Sequence, residues 1–306
     1  MSSGRRPPPR RPAQRSRAAR AQSTRARQAR RAPAGPRARP RERRGSDLLA
    51  RIAVAIPAAI VLVIFIDLGG LAFALFMIAI GVLCLHELYR VLARWHPVAL
   101  VGFAALAAMV LVARSSGRGA VLEVAAITVP VLFLLVVARG GARPSVSIAG
   151  TLLGVYWVGF AFAHAELLRE LPHGDGVLID VLVGTFVGDT AAYLGGRIFG
   201  RRPLAPTISP RKTVEGLACG MLISIVAVFV AGLYQSWLTQ SDALLLGLAV
   251  ALLAPLGDLF ESLIKRDAEI KDTGRAFGAH GGALDRLDAV MFTIVAGYYV
   301  WLSIVH

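Results

Sequence analysis

The sequence predicts an all-α integral membrane protein of about nine transmembrane helices, preceded by a disordered arginine-rich tail. Three observations lead there. Apolar side chains make up 56% of the 306 residues and the mean hydropathy is +0.61, whereas an average soluble domain is roughly 45–50% apolar even with glycine counted. The apolar residues come in long unbroken runs, which suit helices and not the alternating strands of a barrel. The formal charge of +15 is concentrated before residue 47, so the remainder of the chain is electrically balanced.

Residues 1–46 hold sixteen Arg and one Glu, against eighteen basic and eighteen acidic residues in 47–306. The tail is otherwise filled with Pro, Ala, Ser and Gln. It cannot bury a core, so it is expected to be a disordered cytoplasmic segment, with 47–306 forming one polytopic membrane domain. Its charge suits anionic lipid headgroups. Specific nucleic-acid binding is not expected, because no aromatic residue is interleaved for base stacking. A cleavable signal is not expected either, since the basic region is too long and the Arg10–Arg11 pair is followed by further arginines.

Apolar segments follow near 48–66, 70–89, 97–113, 119–138, 146–168, 177–199, 214–234, 243–264 and 289–305. Each approaches the roughly 20 residues that a helix needs to cross a hydrocarbon core about 30 Å thick. The third is short and Ala-rich. Cys84 and Cys219 lie inside apolar segments and are expected to be free thiols, in neither a disulfide nor a metal site. Small residues such as Gly154 and Gly159 in the fifth segment permit close helix contact and leave room for a homodimer.

With a cytoplasmic tail, fifteen of the eighteen Lys and Arg in 47–306 fall at cytoplasmic helix ends, and only Arg114, Arg118 and Arg169 fall outside. The positive-inside rule therefore places the N-terminus in the cytoplasm and the C-terminus outside a cell membrane.

Charge within the membrane domain gathers in two cytoplasmic regions, 188–216 and 257–288. Asp189 and Asp258 lie about 15 and 9 Å below the cytoplasmic helix ends at 1.5 Å per residue, a depth at which a carboxylate normally faces a polar interior and marks function. Asp258, Glu261, Ser262 and Lys265 share one helical face, as do Asp189, Tyr193 and Arg197. The only three lysines of the chain, Lys212, Lys265 and Lys271, lie in these regions; a compact ammonium suits phosphate oxygens, as do Arg266 and Arg286. Glycines 274, 278, 281 and 282 allow backbone N–H groups to approach phosphate closely. Carboxylates, cations and glycines in this mixture fit a site for Mg²⁺ and a polyphosphate together. Zinc is not expected, because His280 has no second histidine at ligand spacing. His86 and Glu87 lack the spacing of a metalloprotease and read as structural.

"SLIKRDAEIKDTGRAFGAHGGALDRLD", residues 262–288, resembles the signature of the phosphatidate cytidylyltransferases, or CDP-diacylglycerol synthases: S-x-x-K-R-x4-K-D followed by H-G-G-x-x-D-R-x-D. "GDTAAYLGGRIFG" and "SPRKTVEG" are similar to a second recurring region of that family. The likeness covers about residues 180–290, with Ala283 in place of a larger aliphatic and Ala289 in place of a common Ser. The resemblance implies condensation of CTP with phosphatidic acid to CDP-diacylglycerol and pyrophosphate, with Mg²⁺ as cofactor and membrane lipids as surroundings. It implies Asp258, Asp285 and Asp288 as metal ligands and Asp189 as a further catalytic candidate. Ser209, Lys212, Lys265, Arg266, Lys271 and Arg286 would hold phosphates, Gly281 and Gly282 would line the substrate, and Asp272 and His280 would orient that shell. A secondary transporter is the alternative of a different class, but no internal repeat is visible and the charge clusters sit at helix ends, not at the midplane. The other CDP-lipid enzymes considered, the CDP-alcohol phosphotransferases, carry a D-G-x2-A-R pattern absent from this sequence.

Overall fold

The computed structural model describes residues 44–270, 273–274 and 282–306, with side chains from residue 56 onward. Residues 1–50 and 51–306 form separate units, and the second carries the bundle. Residues 1–43 of the expected tail lie outside the described residues, as do Lys271, Asp272, His280 and Gly281.

The chain is built from helices α1 (Arg44–Leu68), α2 (Gly70–Val91), α3 (Ala99–Arg139), α4 (Pro144–Gly154), α5 (Phe160–Arg169), α6 (Gly174–Phe199), α7 (Val214–Gly232), α8 (Gln240–Asp267) and α9 (Leu284–Val305). A single π turn, Val155–Gly159, joins α4 to α5. Among the described residues, seven helical spans are long and apolar enough to cross a membrane, α4 through α5 counting as one, and Ile56–Leu68 is a shorter apolar stretch. The multi-pass, helical membrane architecture expected from hydropathy is therefore present.

The segments expected at 97–113 and 119–138 are two helical arms, grouped here as α3, that meet at a break. Its 41 residues would extend about 60 Å if straight, twice the thickness of a hydrocarbon core. The break falls at Gly117, whose φ of 76° and ψ of −166° lie outside helical space. Only glycine adopts such a backbone readily.

One element was not foreseen. Strands β1 (Pro203–Ala205) and β2 (Ser209–Thr213) pair antiparallel between α6 and α7. The Glu215 carboxylate closes the ends of this hairpin by accepting from the backbone N–H groups of Arg201 (3.0 Å) and Arg202 (3.2 Å). Thr213 caps α7 by accepting from Gly216 N at 3.1 Å.

Large apolar side chains cover the outer faces: Ile127, Leu134 and Leu222 are 60%, 63% and 61% exposed. Such a surface would aggregate in water, whereas lipid solvates it. Inside, small residues set the helix spacing. Gly154 lies against Leu85 and Tyr89, and Gly159 against Met109, so both glycines are used in packing within the chain. Helices α6 and α7 pack closely, and a Cβ on Gly220 would stand 2.7 Å from Ala192 Cβ and 2.9 Å from Gly188 O.

Gly220→Val forces these helices apart. Its expected destabilisation is about 1–3 kcal/mol, the usual effect of overpacking, read as a lower unfolding midpoint in detergent. An unchanged midpoint would show that α6 and α7 yield easily.

Candidate active site

The site is assembled where α8 meets α9. Their backbones touch at Gly257, where a Cβ would stand 2.9 Å from Ala289 Cα and overlap the Asp288 carbonyl. That contact brings Asp258, the next residue of α8, to the first turn of α9, where Asp285 and Asp288 lie three residues apart. Helical spacing carries the α8 face onward through Glu261 to Lys265.

Lys265 links the two helices. Its ammonium pairs with Glu261 one turn back on α8 and with Asp285 Oδ1 at 3.1 Å on α9. Asp285 also accepts from Gly282 N at 2.7 Å and from Thr273 N at 3.2 Å, so its carboxylate ties together the two described ends of the connection between α8 and α9. Asp288 is 7% exposed, and its Oδ1 accepts from Ala289 N at 2.9 Å. It is close enough to Asp258 and to Glu261 for the charged carboxylates to repel one another. Glu261 is 1% exposed, and its Oε1 is buried with no hydrogen-bond partner.

The hairpin reaches this cluster from α6 and α7. Lys212 on β2 pairs with Asp258. Asp189 on α6 is within electrostatic reach of both Asp258 and Lys212. Arg266 is exposed and donates from Nε to Ile208 O at 3.1 Å, fastening the end of α8 to the hairpin. Ser209 is half-buried on the same strand as Lys212. Arg286 is exposed in the first turn of α9, and Gly282 is buried just before it. Every expected site residue within the described set thus belongs to this end of the bundle.

Two side chains that the sequence reading left without a role at the site are central to it. Glu261 was visible on the shared helical face, but nothing in its spacing distinguished it from an ordinary i, i+4 partner of Lys265. Glu87, from α2, is 3% exposed, and its Oε2 accepts from Leu284 N at 2.9 Å. It thereby satisfies an N–H at the start of α9 that has no partner within the helix. Gly274 and Gly282 both lie against the Glu87 carboxylate, where a side chain at either position would collide with it. Its structural reading is supported, although the partner is 197 residues away in sequence.

Among the described residues, no group of three or more His, Cys, Asp or Glu side chains is arranged as a ready-made metal site. A cavity of ≈ 560 Å³ lies at the far end of α9 around Arg114, Arg118 and His306, away from these carboxylates.

Glu87→Ala leaves the Leu284 N–H buried and unpaired, with an expected loss of about 1–3 kcal/mol of stability. Glu87→Gln, which keeps a carbonyl acceptor, loses less. Equal unfolding midpoints for the parent and the Ala variant would contradict the capping role.

Residues 49–304 match the model of the cytidylyltransferase family. A phosphatidate cytidylyltransferase of Bacillus subtilis is 30% identical over 262 residues, covering 83% of this chain and 97% of that protein. One from Mycobacterium bovis is 34% identical over 153 residues, half of each chain. One from Staphylococcus saprophyticus is 34% identical over 148 residues, 47% of this chain and 55% of the relative. The chain therefore spans about half the length of the mycobacterial and staphylococcal relatives it matches, and nearly all of the Bacillus one. Because the family match runs from within α1 to within the last turn of α9, this chain belongs to the cytidylyltransferase family.

Proposed function

We propose that the chain is a membrane-embedded phosphatidate cytidylyltransferase, which joins CTP to phosphatidic acid and releases CDP-diacylglycerol and pyrophosphate. The observation that carries this reading is the convergence of Asp189, Asp258, Glu261, Asp285 and Asp288 with Lys212 and Lys265 at one end of an otherwise apolar bundle. The printed names of the relatives support it. A phosphate oxygen of phosphatidate would attack the α-phosphorus of CTP, forming a new P–O bond as the bond between the α-phosphorus and the bridging oxygen breaks. The nucleophile is already ionised, so no strong general base is needed. Catalysis consists of aligning two anions and stabilising the charge that develops on the leaving group.

Lys212 and Lys265 are placed to exchange carboxylate partners for phosphate oxygens, with Ser209, Arg266 and Arg286 beside them. Lys271 and Gly281, outside the described residues, would complete the phosphate shell, and Asp272 and His280, likewise outside them, would orient that shell or the nucleotide. The residues fit Mg²⁺. Their carboxylates repel one another, Glu261 keeps an unpartnered buried oxygen, and magnesium needs only one or two carboxylates when phosphate oxygens and water supply the rest. Asp258 and Asp288 would hold it, while Asp285, already receiving donors from Lys265, Gly282 and Thr273, would position that pair. Bound there, the ion would neutralise charge on the triphosphate. The basic-residue asymmetry supports a cytoplasmic site in a cell membrane, with the N-terminus inside, the C-terminus outside and about nine crossings.

The test is CTP-dependent pyrophosphate release from phosphatidic acid by the purified chain in micelles. Turnover is expected to vanish with a chelator and to return with Mg²⁺. Asp288→Asn should lower turnover by on the order of 10² and raise the Mg²⁺ requirement, by analogy with removal of one electrostatic contact to developing charge. Asp285→Asn should lower turnover without moving that requirement. No release by the parent chain would overturn the reading. Unchanged metal dependence in the Asp288 variant would remove that residue from the ligand set.

A further inference from the structure

The cavity of ≈ 560 Å³ at the far end of α9 is walled by three elements. Arg114 and Arg118 come from either side of the break in α3, Leu167 and Glu170 from the end of α5, and Tyr298 and Leu302 from α9. From Asp288 to Val305, α9 rises about 26 Å at 1.5 Å per residue, close to the roughly 30 Å thickness of a hydrocarbon core. The cavity therefore lies at the second headgroup layer, across the membrane from the carboxylate cluster.

Basic residues are scarce at that end. Of the eighteen Lys and Arg in 47–306, only Arg114, Arg118 and Arg169 fall there, against the tendency that gathers such residues on the other side. Arg169 has a structural use, because its Nε donates to Ile66 O at 2.6 Å near the end of α1. The other two are less engaged. Arg114 lies 3.5 Å from Glu170, longer than the roughly 2.7–2.9 Å of a tight charge-assisted bond. Arg118 makes no hydrogen bond or ion pair among the described residues. It is exposed, yet within electrostatic reach of Tyr298 and His164, so its charge bears on the side where α9 and α5 meet. A Cβ on Gly117 would meet no atom within 4 Å, so the space beside the two arginines is open. Two guanidinium groups and one carboxylate leave an excess of positive charge against an apolar wall of Leu167 and Leu302.

We propose that this cavity binds the phosphate headgroup of an anionic phospholipid from the leaflet opposite the carboxylate site, with Arg118 and Arg114 on its phosphate oxygens. A planar guanidinium matches phosphate in a bidentate fashion. Leu111 and Leu122, one on each arm of α3 and about one turn deeper than the arginines, are 42% and 51% exposed and offer apolar surface to the acyl chains. The bound lipid joins the two arms of α3 to α9 and offsets a charge that the bundle leaves uncompensated. It is a structural ligand and not the substrate, since the lysines and carboxylates lie across the membrane.

The experiment follows the unfolding midpoint of the full chain in neutral maltoside micelles, without CTP or phosphatidate, so its outcome is independent of the proposed activity. Dioleoyl phosphatidylglycerol is titrated in, with dioleoyl phosphatidylcholine and inorganic phosphate as comparisons. Phosphatidylglycerol should raise the parent midpoint, and the other two at matched concentration should not. The sixteen arginines of residues 1–46 also attract anionic lipid, so the test compares variants that each lose one cation. Arg118→Gln should need roughly tenfold more phosphatidylglycerol for its half-maximal rise, the worth of one charge-assisted hydrogen bond. Arg139→Gln, at the opposite end of the second arm of α3, should titrate as the parent does. Equal titrations for the two variants would show that anionic lipid acts only through diffuse charge. Phosphatidylcholine as effective as phosphatidylglycerol would reduce the cavity to an apolar groove, and inorganic phosphate as effective as the lipid would make the ligand a free phosphate. Each of these results, or an unmoved parent midpoint, overturns the assignment.

Discussion

The backbone contact between α8 and α9 at Gly257 is the constraint on which the site depends. A hydrogen atom there lets the Asp288 carbonyl and the Ala289 Cα approach to a distance that a methyl group would forbid. Asp258 follows immediately on one helix, and Asp288 stands directly opposite on the other. From this point outward the arrangement is a matter of helical periodicity. Glu261 and Lys265 continue the face of α8, Asp285 lies one turn earlier on α9, and Lys265 spans the gap between them.

Such a concentration of charge is sustainable at the end of an apolar bundle because part of it is internally compensated. Lys212 pairs with Asp258, Lys265 is shared between Glu261 and Asp285, and backbone N–H groups from Gly282 and Thr273 add to the hold on Asp285. Removing one member of a buried pair is far more destabilising than the pair is stabilising. The arrangement thus favours being kept whole or being completed by ligands. An added cation near Glu261 and Asp288 would relieve the repulsion between their carboxylates.

Much of this could be read from residue order because membrane helices obey simple rules. Long apolar runs gave the helices, and the spacing of Asp258, Glu261 and Lys265 gave their common face. Three features were not legible, each for a physical reason. Hydropathy records the interruption near Arg114–Arg118 that separates the two arms of α3, but it cannot show that one glycine with a positive φ, Gly117, makes the whole break. The hairpin holding Ser209 and Lys212 is too short for a period-2 pattern to emerge. Glu87 acts on the start of α9 across 197 residues, and no local pattern encodes a contact of that range.

The claim that α8 and α9 present their carboxylates as one catalytic unit is tested most directly by a double-mutant cycle in CTP-dependent pyrophosphate release, using Asp258→Asn, Asp288→Asn and the pair together. Groups that act as a unit are non-additive. The account predicts that the double variant retains about the turnover of the weaker single variant. Losses that multiply, with each substitution contributing its full factor in the presence of the other, would contradict it and separate the two aspartates into independent roles.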